Sequence, residues 1–150
     1  MVVTFCGHAQ SDGTDEYRVK IFSILNEIVK DSPVDMYLGG YGEFDSFVYD
    51  CCVKYKQMHS DVSIYYITPY MNDEYIKRQT YLQKEYDGVI YPEIEGVPPR
   101  LAITYRNKWM VDSADVVIAY IEHDWGGAYK TYLYAKKKGK IIFNIGTFGA

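Results

Sequence analysis

The sequence lacks the features that mark membrane proteins and secreted, disulfide-bonded proteins. No apolar run approaches the roughly 20 residues that a membrane-spanning helix requires. The first residues, MVVTFCGH, lack the charged and apolar segments of a signal peptide. Cysteine is scarce, and an odd number of thiols with two of them adjacent (Cys6, Cys51 and Cys52) favours reduced thiols over disulfides. We therefore expect a cytoplasmic protein with no membrane partner.

Concentrated positive charge and metal-binding patterns are also missing. The formal net charge is −4, and the largest basic run, residues 136–138, is typical of the last turn of a helix. We therefore expect that nucleic acid is not a partner. The histidines, His8, His59 and His123, show neither HExxH nor Cys-x-x-Cys spacing, so we expect no metal site.

What the sequence does contain is a regular alternation of apolar strands and amphipathic helices. The 150 residues are 48% hydrophobic with only five prolines, which is enough apolar material for one domain spanning residues 1–150. Short β-rich runs occur at Val2–Cys6, Val34–Leu38, Val62–Ile67, Gly88–Tyr91, Val116–Ile121 and Ile141–Ile145. Because nearly all of these runs are continuously apolar, they predict an α/β fold with a mostly parallel sheet and helices on both faces.

A glycine-rich loop lies between the second strand and the second helix, in the segment VDMYLGGYGEFDS. Gly39, Gly40 and Gly42 allow a ligand to approach the main chain, and the N-terminus of the following helix favours an anion such as phosphate. A plain tight turn is the alternative. The loop lacks the Lys-Ser/Thr of a Walker motif and the spacing GxGxxG, so it predicts a phosphate-bearing small molecule without naming a cofactor.

Other residues with suitable chemistry follow the predicted strands. Ligands bind at the carboxyl edge of parallel sheets, so that edge is predicted to gather four segments. They are Gly7 and His8, the loop of residues 39–45, Thr68 and Pro69 with Tyr70, and residues 122–127 with Trp125, Gly126 and Gly127. Base stacking or an interface contact explains Trp125 better than packing does. His8 either touches a phosphate or base, or bonds only to the backbone.

Two arginines and a lysine are candidate phosphate ligands. The helix after Pro99 is predicted to carry an apolar stripe of Leu101, Ala102, Tyr105 and Trp109. Arg100 and Arg106 fall outside this stripe, so we expect them on the surface, where they bind phosphate or pair with surface acids. Lys130 lies in the first turn of a helix, where a cation is disfavoured, and this indicates a nearby anion.

In their order along the chain, the motifs FCGH, GGYGEFDS, ITPY, PPR and RNKWMVDSADVVIAYIEHDWGGAYKT resemble those of the SLOG superfamily, which is named for the Smf/DprA and LOG proteins. The resemblance extends from end to end and is to the YpsA-like branch. It implies a Rossmann-like domain whose glycine loop binds a nucleotide or a nucleotide-derived molecule. The superfamily includes sensors of ADP-ribose-type signals, which makes ADP-ribose-like ligands candidates. Its habit of pairing implies a homodimer or larger homo-oligomer.

The resemblance leaves open whether the protein is an enzyme. Phosphoribohydrolases of the superfamily carry PGGxGTxxE, whose glutamate helps to cleave an N-glycosidic bond. Here Leu38, Glu43 and Ser46 stand at the proline, threonine and glutamate positions. A serine hydroxyl cannot replace that carboxylate as a base or as a stabiliser of a cation. If the protein is an enzyme, its acid comes from Asp45, Glu43 or Glu122 instead.

Together these observations predict a site and three hypotheses. The expected ligand-binding residues are Gly7, His8, Gly39, Gly40, Gly42, Asp45, Thr68, Pro69, Arg100, Arg106, Trp125, Gly126, Gly127 and Lys130. The first hypothesis is a protein that binds a nucleotide-derived molecule as a sensor or sequestering module, without chemistry. The second is an N-glycosidase or another nucleotide-processing enzyme. The third is a DNA-associated regulator, against which the acidic charge balance counts.

Overall fold

The structure, a computed structural model, describes residues 1–9, 14–40 and 42–149. A six-stranded sheet forms its centre, and every pair of neighbouring strands is parallel. The strands are β1 (Val2–Gly7), β2 (Val34–Leu38), β3 (Val62–Ile67), β4 (Gly88–Ile90), β5 (Val116–Tyr120) and β6 (Ile141–Asn144), arranged in the order β4-β3-β2-β1-β5-β6. The predicted α/β, Rossmann-like fold is confirmed, and each strand lies within one residue of its predicted bounds.

Within the described residues, helices connect the strands and supply the two outer layers. They are α1 (Asp15–Val29), α2 (Gly42–Met58), α3 (Asp73–Gln79), α4 (Ala102–Ser113) and α5 (Gly127–Lys137), and a 3₁₀ turn (Pro99–Leu101) precedes α4. Helix α1 begins where the Thr14 side chain accepts a hydrogen bond from the Tyr17 amide at 3.4 Å. None of the helices in these ranges is long and apolar enough to cross a bilayer.

Strand β5, which lies between β1 and β6, shows how both faces of the sheet are covered. All five of its residues are buried. Val116 and Ile118 pack in the hydrophobic cluster that contains α1 and α2, whereas Val117 and Ala119 pack in the cluster that contains α4 and α5. Because successive side chains of a strand point to opposite faces, a strand between two helical layers has to be apolar throughout.

Helix α4 packs on a face that differs from the predicted one. Its buried residues are Ala102, Arg106, Met110 and Val111. The predicted stripe is correct for Ala102 but wrong for Leu101, which is 37% exposed, and for Tyr105, which is 43% exposed. Helix α4 covers main-chain carbonyls at the ends of β2 and β3. Buried carbonyls need hydrogen-bond donors, and Arg106 supplies them.

The three cysteines give the first testable prediction. All of them are free and buried. Burial raises the pKa of Cys6 to about 12 and that of Cys51 to about 11, and it also raises the pKa of Cys52 well above its usual value. We expect no thiol to react with a thiol-specific reagent at about pH 8 in the native protein, and three to react after unfolding in guanidinium, because the thiolate is the reactive form. Rapid labelling of the native protein would contradict this packing.

Candidate functional site

The strand order creates a crevice at the carboxyl end of β1. The chain moves outward from β1 through β2, β3 and β4 on one side, whereas β5 and β6 lie on the other side. Open parallel sheets bind ligands at such a change of direction. A cavity of about 830 Å³ lies there. The predicted site residues that line it are Gly7, His8, Asp45, Arg106, Trp125, Gly126 and Gly127, together with Glu122.

Arg106 is the buried cation of this cavity. Its side chain is only 2% exposed, although it lies in the cavity wall. The Nη1 group donates to the carbonyl oxygens of Gly39, at 2.9 Å, and of Ile67, at 2.8 Å. The Nε group donates to Oδ1 of Asn107 at 2.9 Å. The guanidinium therefore joins α4 to the ends of β2 and β3 and is held in a fixed orientation.

The expectation that Arg106 lies on the surface is wrong. Burial lowers its pKa from the usual value, and the negative charge of Asp45 opposes this effect. Ala102, Arg106 and Met110 are each four residues from the next, so they share one face of the helix. The predicted stripe included only Ala102 from this face. A polar residue in the middle of that face indicates a buried hydrogen-bonded group rather than a solvent-exposed one.

His8 links the end of β1 to the loop after β5. Its Nε2 atom accepts hydrogen bonds from the backbone amides of Glu122, at 2.9 Å, and His123, at 3.4 Å. This arrangement requires a neutral ring whose proton is on Nδ1, an assignment inferred from the hydrogen bonds. Burial lowers the pKa of His8, the nearby His123 lowers it further, and Glu122 opposes both effects. His8 therefore bonds to the backbone, as one of its two predicted roles requires, and it also lines the cavity.

Lowering the pH should destabilise the protein through His8. Because the pKa of His8 is lower in the folded protein, the unfolded chain binds its proton first as the pH falls below the ordinary value of about 6.5. The stabilising contribution is thus present above about pH 6.5 and is lost as the pH falls below that value towards the lowered pKa of the folded protein. His8→Gln supplies an amide oxygen that accepts the same bonds without titrating. Guanidinium unfolding should show a flatter pH dependence for this variant, and an unchanged slope would contradict the assignment.

Glu122 is held as a structural carboxylate. Its Oε2 atom accepts hydrogen bonds from the Thr147 amide, at 3.0 Å, and from the Thr147 hydroxyl. The Tyr17 hydroxyl donates to Oε1 at 3.4 Å. Hydrogen bonding from Thr147 lowers the pKa of Glu122, which favours the ionised form. Glu122 therefore fixes the loop after β5, and its ionised carboxylate is poorly suited to donate a proton.

The other two candidate acids occupy different positions relative to the cavity. Asp45 lines it, whereas Glu43 is exposed and its backbone amide donates to the Ala9 carbonyl at 2.7 Å. Ser46, at the position of the glutamate in the phosphoribohydrolase motif, is exposed and accepts a hydrogen bond from Gln83 at 3.5 Å. Asp45 is thus the candidate whose position best suits chemistry on a ligand in the cavity.

The glycine loop lies beside the cavity. Gly39 is buried, and a Cβ atom there would lie 3.2 Å from Cζ of Arg106. Gly40 has a φ of +66°, and a Cβ atom there would approach the Tyr66 ring to 2.7 Å. Among the described residues, the cavity lining does not include Gly39, Gly40 or Gly42. Phosphate binding by their amides remains a prediction, and the observed contact of this loop with the site is through Arg106.

The remaining predicted residues lie apart from the cavity. Thr68 is buried, and its hydroxyl donates to the Tyr70 carbonyl at 2.8 Å. Pro69 lines a second cavity of about 380 Å³ near the 3₁₀ turn. Arg100 and Lys130 are exposed and do not belong to the described lining of the larger cavity. Arg106 is therefore the one predicted cation that the described structure brings to the crevice.

Metal ligands do not converge in the described part of the chain. No group of three or more histidine, cysteine, aspartate or glutamate side chains in residues 1–9, 14–40 and 42–149 is arranged to hold an ion. The cavity combines one buried guanidinium, the carboxylates of Asp45 and Glu122, and aromatic and apolar walls. Such a mixture suits an organic ligand, whose anionic group would bind at Arg106.

Comparison with solved structures identifies proteins of the same fold. DNA processing protein A (DprA) from Streptococcus pneumoniae matches 95% of this chain and 49% of its own chain, with a TM-score of 0.65 and 15% identity. A structure of DNA processing protein A from Helicobacter pylori, described for its single-stranded DNA binding mode, matches with a TM-score of 0.61 and 16% identity. That match covers 96% of this chain and 64% of the other. No protein-family model matches the sequence, and no curated protein matches it.

These matches show the fold and correct one expectation. The chain has the Rossmann-like fold of these DprA structures and spans between about half and two thirds of their length. The resemblance to the YpsA-like branch stays a prediction. The expectation that nucleic acid is not a partner is wrong, because a protein of this fold has a described single-stranded DNA binding mode. That expectation was based on net charge, since nucleic acids generally bind basic surfaces.

Proposed function

We propose that the cavity between the ends of β1 and β5 binds a nucleotide or a nucleotide-derived molecule, in a sensing or sequestering role. The observation that carries this proposal is the buried guanidinium of Arg106 in the wall of a cleft that also contains the exposed ring of Trp125. The volume of about 830 Å³ falls within the range of small-molecule sites. A cation deep in the cleft and an aromatic ring at its edge match the two ends of a nucleotide.

Arg106 is the proposed phosphate ligand. Among the described residues, hydrogen bonds engage both Nη1 hydrogens and the Nε hydrogen, so Nη2 is the group that we propose for a ligand oxygen. The Tyr66 side chain also interacts with the guanidinium, and it raises the pKa of Arg106 against the effect of burial. Guanidinium groups form strong charge-assisted bonds with phosphate, and a site shielded from water strengthens them. The glycine loop, Gly126 and Gly127, and Lys130 remain proposed contributors to phosphate binding.

Calorimetry tests this proposal directly. AMP, ADP-ribose and ribose 5-phosphate are titrated separately into the wild-type chain. We expect saturable binding of at least one nucleotide, together with a higher melting temperature at saturating ligand. If neither nucleotide gives measurable heat or thermal stabilisation, the proposal fails. Light scattering on the same samples tests the proposed homodimer or larger homo-oligomer.

Single-stranded DNA is a second candidate ligand, because one protein with this fold has a described single-stranded DNA binding mode. An oligothymidylate that enters the cavity through one nucleotide should be displaced by AMP. A strand that binds elsewhere should remain bound in the presence of AMP. Measuring binding over a range of salt concentrations reports the number of phosphate contacts.

An N-glycosidase is the third candidate, and the position of Asp45 in the cavity wall favours it. Incubation of AMP and NAD-type compounds with the protein would release free base if the protein has this activity. Asp45→Asn should then abolish release while it leaves ligand affinity unchanged. We favour binding without chemistry, because Ser46 replaces the glutamate of the related hydrolases and Glu122 is engaged by Thr147.

A further inference from the structure

Three aromatic rings form a continuous stack at the edge of the cavity. The rings of His8 and His123 are 3.6 Å apart with an interplanar angle of 14°. The rings of His123 and Trp125 are 3.7 Å apart with an angle of 15°. His8 is 8% exposed at one end of this stack, and Trp125 is 67% exposed at the other. The stack therefore runs from the interior to the solvent-accessible edge of the site.

The inner end of the stack is fixed by hydrogen bonds. His8 accepts two backbone amides from the loop that carries His123 and Trp125, and Glu122 in the same loop accepts two bonds from Thr147. These hydrogen bonds hold the loop in place, and none of them involves Trp125. An indole that is mostly exposed also adds little to the hydrophobic core.

The outer face of Trp125 is the available surface of the stack. His123 covers one face of the indole at 3.7 Å, so the exposed area of this side chain belongs largely to the opposite face and the edges. Trp125 also lines the same cavity as Arg106. A rigid aromatic face beside a buried cation is suited to a planar ring that is attached to a phosphate.

We infer that the stack of His8, His123 and Trp125 is a base-stacking platform, and that a nucleobase of the ligand packs on the outer face of Trp125. This inference rests on the proposed function and adds the ligand class, namely base-bearing nucleotides rather than phosphorylated sugars. Stacking reads the face of a base and not its hydrogen-bonding edge, so the platform accepts any base and favours the larger purines. His8 and His123 are positioning residues that hold the indole.

The two tryptophans of the chain permit a direct optical test. Trp109 stacks on Tyr37, with ring centroids 5.6 Å apart, and is absent from the described lining of the cavity. Trp109→Phe therefore leaves Trp125 as the single tryptophan. In this variant AMP should quench the fluorescence, whereas ribose 5-phosphate should leave it unchanged. Equal responses to the two compounds would overturn the inference.

Affinity measurements separate the platform from the rest of the site. Trp125→Ala should weaken AMP binding by about tenfold or more without changing the affinity for ribose 5-phosphate, and Trp125→Phe should retain most of the affinity. Trp109→Phe is the matched control and should bind AMP as the wild type does. AMP binding that is unchanged in Trp125→Ala refutes the platform and leaves the proposed function standing. Absence of AMP and ADP-ribose binding to the wild type refutes both.

Discussion

Arg106→Met should weaken AMP binding by roughly 30-fold or more, the equivalent of about 2 to 5 kcal/mol for the loss of one partner in a buried charged contact. The variant removes the guanidinium and keeps an unbranched apolar side chain that replaces the aliphatic part of the arginine. Arg106→Lys keeps the charge but loses the planar set of donors, so we expect an intermediate affinity. Calorimetry with AMP measures the three affinities.

The control for this prediction lies at the start of the same helical segment. Arg100 is exposed and absent from the described lining of the cavity, so Arg100→Met should bind AMP as the wild type does. Arg106→Met also leaves the carbonyls of Gly39 and Ile67 without their donor, and each such loss costs about 1 to 3 kcal/mol. Relief of the buried charge offsets part of this cost. Wild-type affinity in folded Arg106→Met would contradict the assigned role.

Gly7→Ala should lower the free energy of unfolding by about 1 to 3 kcal/mol, because the added methyl group overpacks the cavity wall. A Cβ atom at this position would lie 2.3 Å from Cδ2 of Phe44. The Phe44 ring is itself stacked on Tyr120, with centroids 5.5 Å apart, so it cannot turn aside without losing that contact. Guanidinium unfolding should show a lower midpoint at an unchanged slope.

Two further variants show whether the Phe44 contact is the cause. Gly96→Ala adds the same methyl group where no atom lies within 4 Å, so its stability should stay within about 0.5 kcal/mol of the wild type. The double variant Gly7→Ala with Phe44→Leu should lose less stability than the two single changes added together. A Gly7→Ala protein as stable as the wild type would refute this packing.

The fold was predictable because its signals are local. Strand β5 is continuously apolar, and this pattern alone indicates a strand buried on both faces. In α2, Cys51 and Cys52 follow the helical spacing set by Phe44 and Val48, and all four residues are buried. Such patterns depend only on neighbours along the chain, and helical or strand periodicity reports them directly.

The site was less predictable because its contacts join distant parts of the chain. Arg106 is buried because carbonyls at the ends of β2 and β3 accept its hydrogens, and nothing in the sequence around α4 reports those acceptors. The pairing of His8 with the loop after β5 joins residues more than a hundred positions apart. Composition indicated an acidic protein, but it could not exclude nucleic acid, because recognition depends on local charge in a cleft and not on net charge.

A crystal structure of the protein with AMP bound would show whether the crevice between β1 and β5 is a nucleotide site. We expect phosphate oxygens within hydrogen-bonding distance of Arg106 and the adenine ring parallel to the indole of Trp125. AMP located in the second cavity near Pro69, or at the surface away from both side chains, would contradict it.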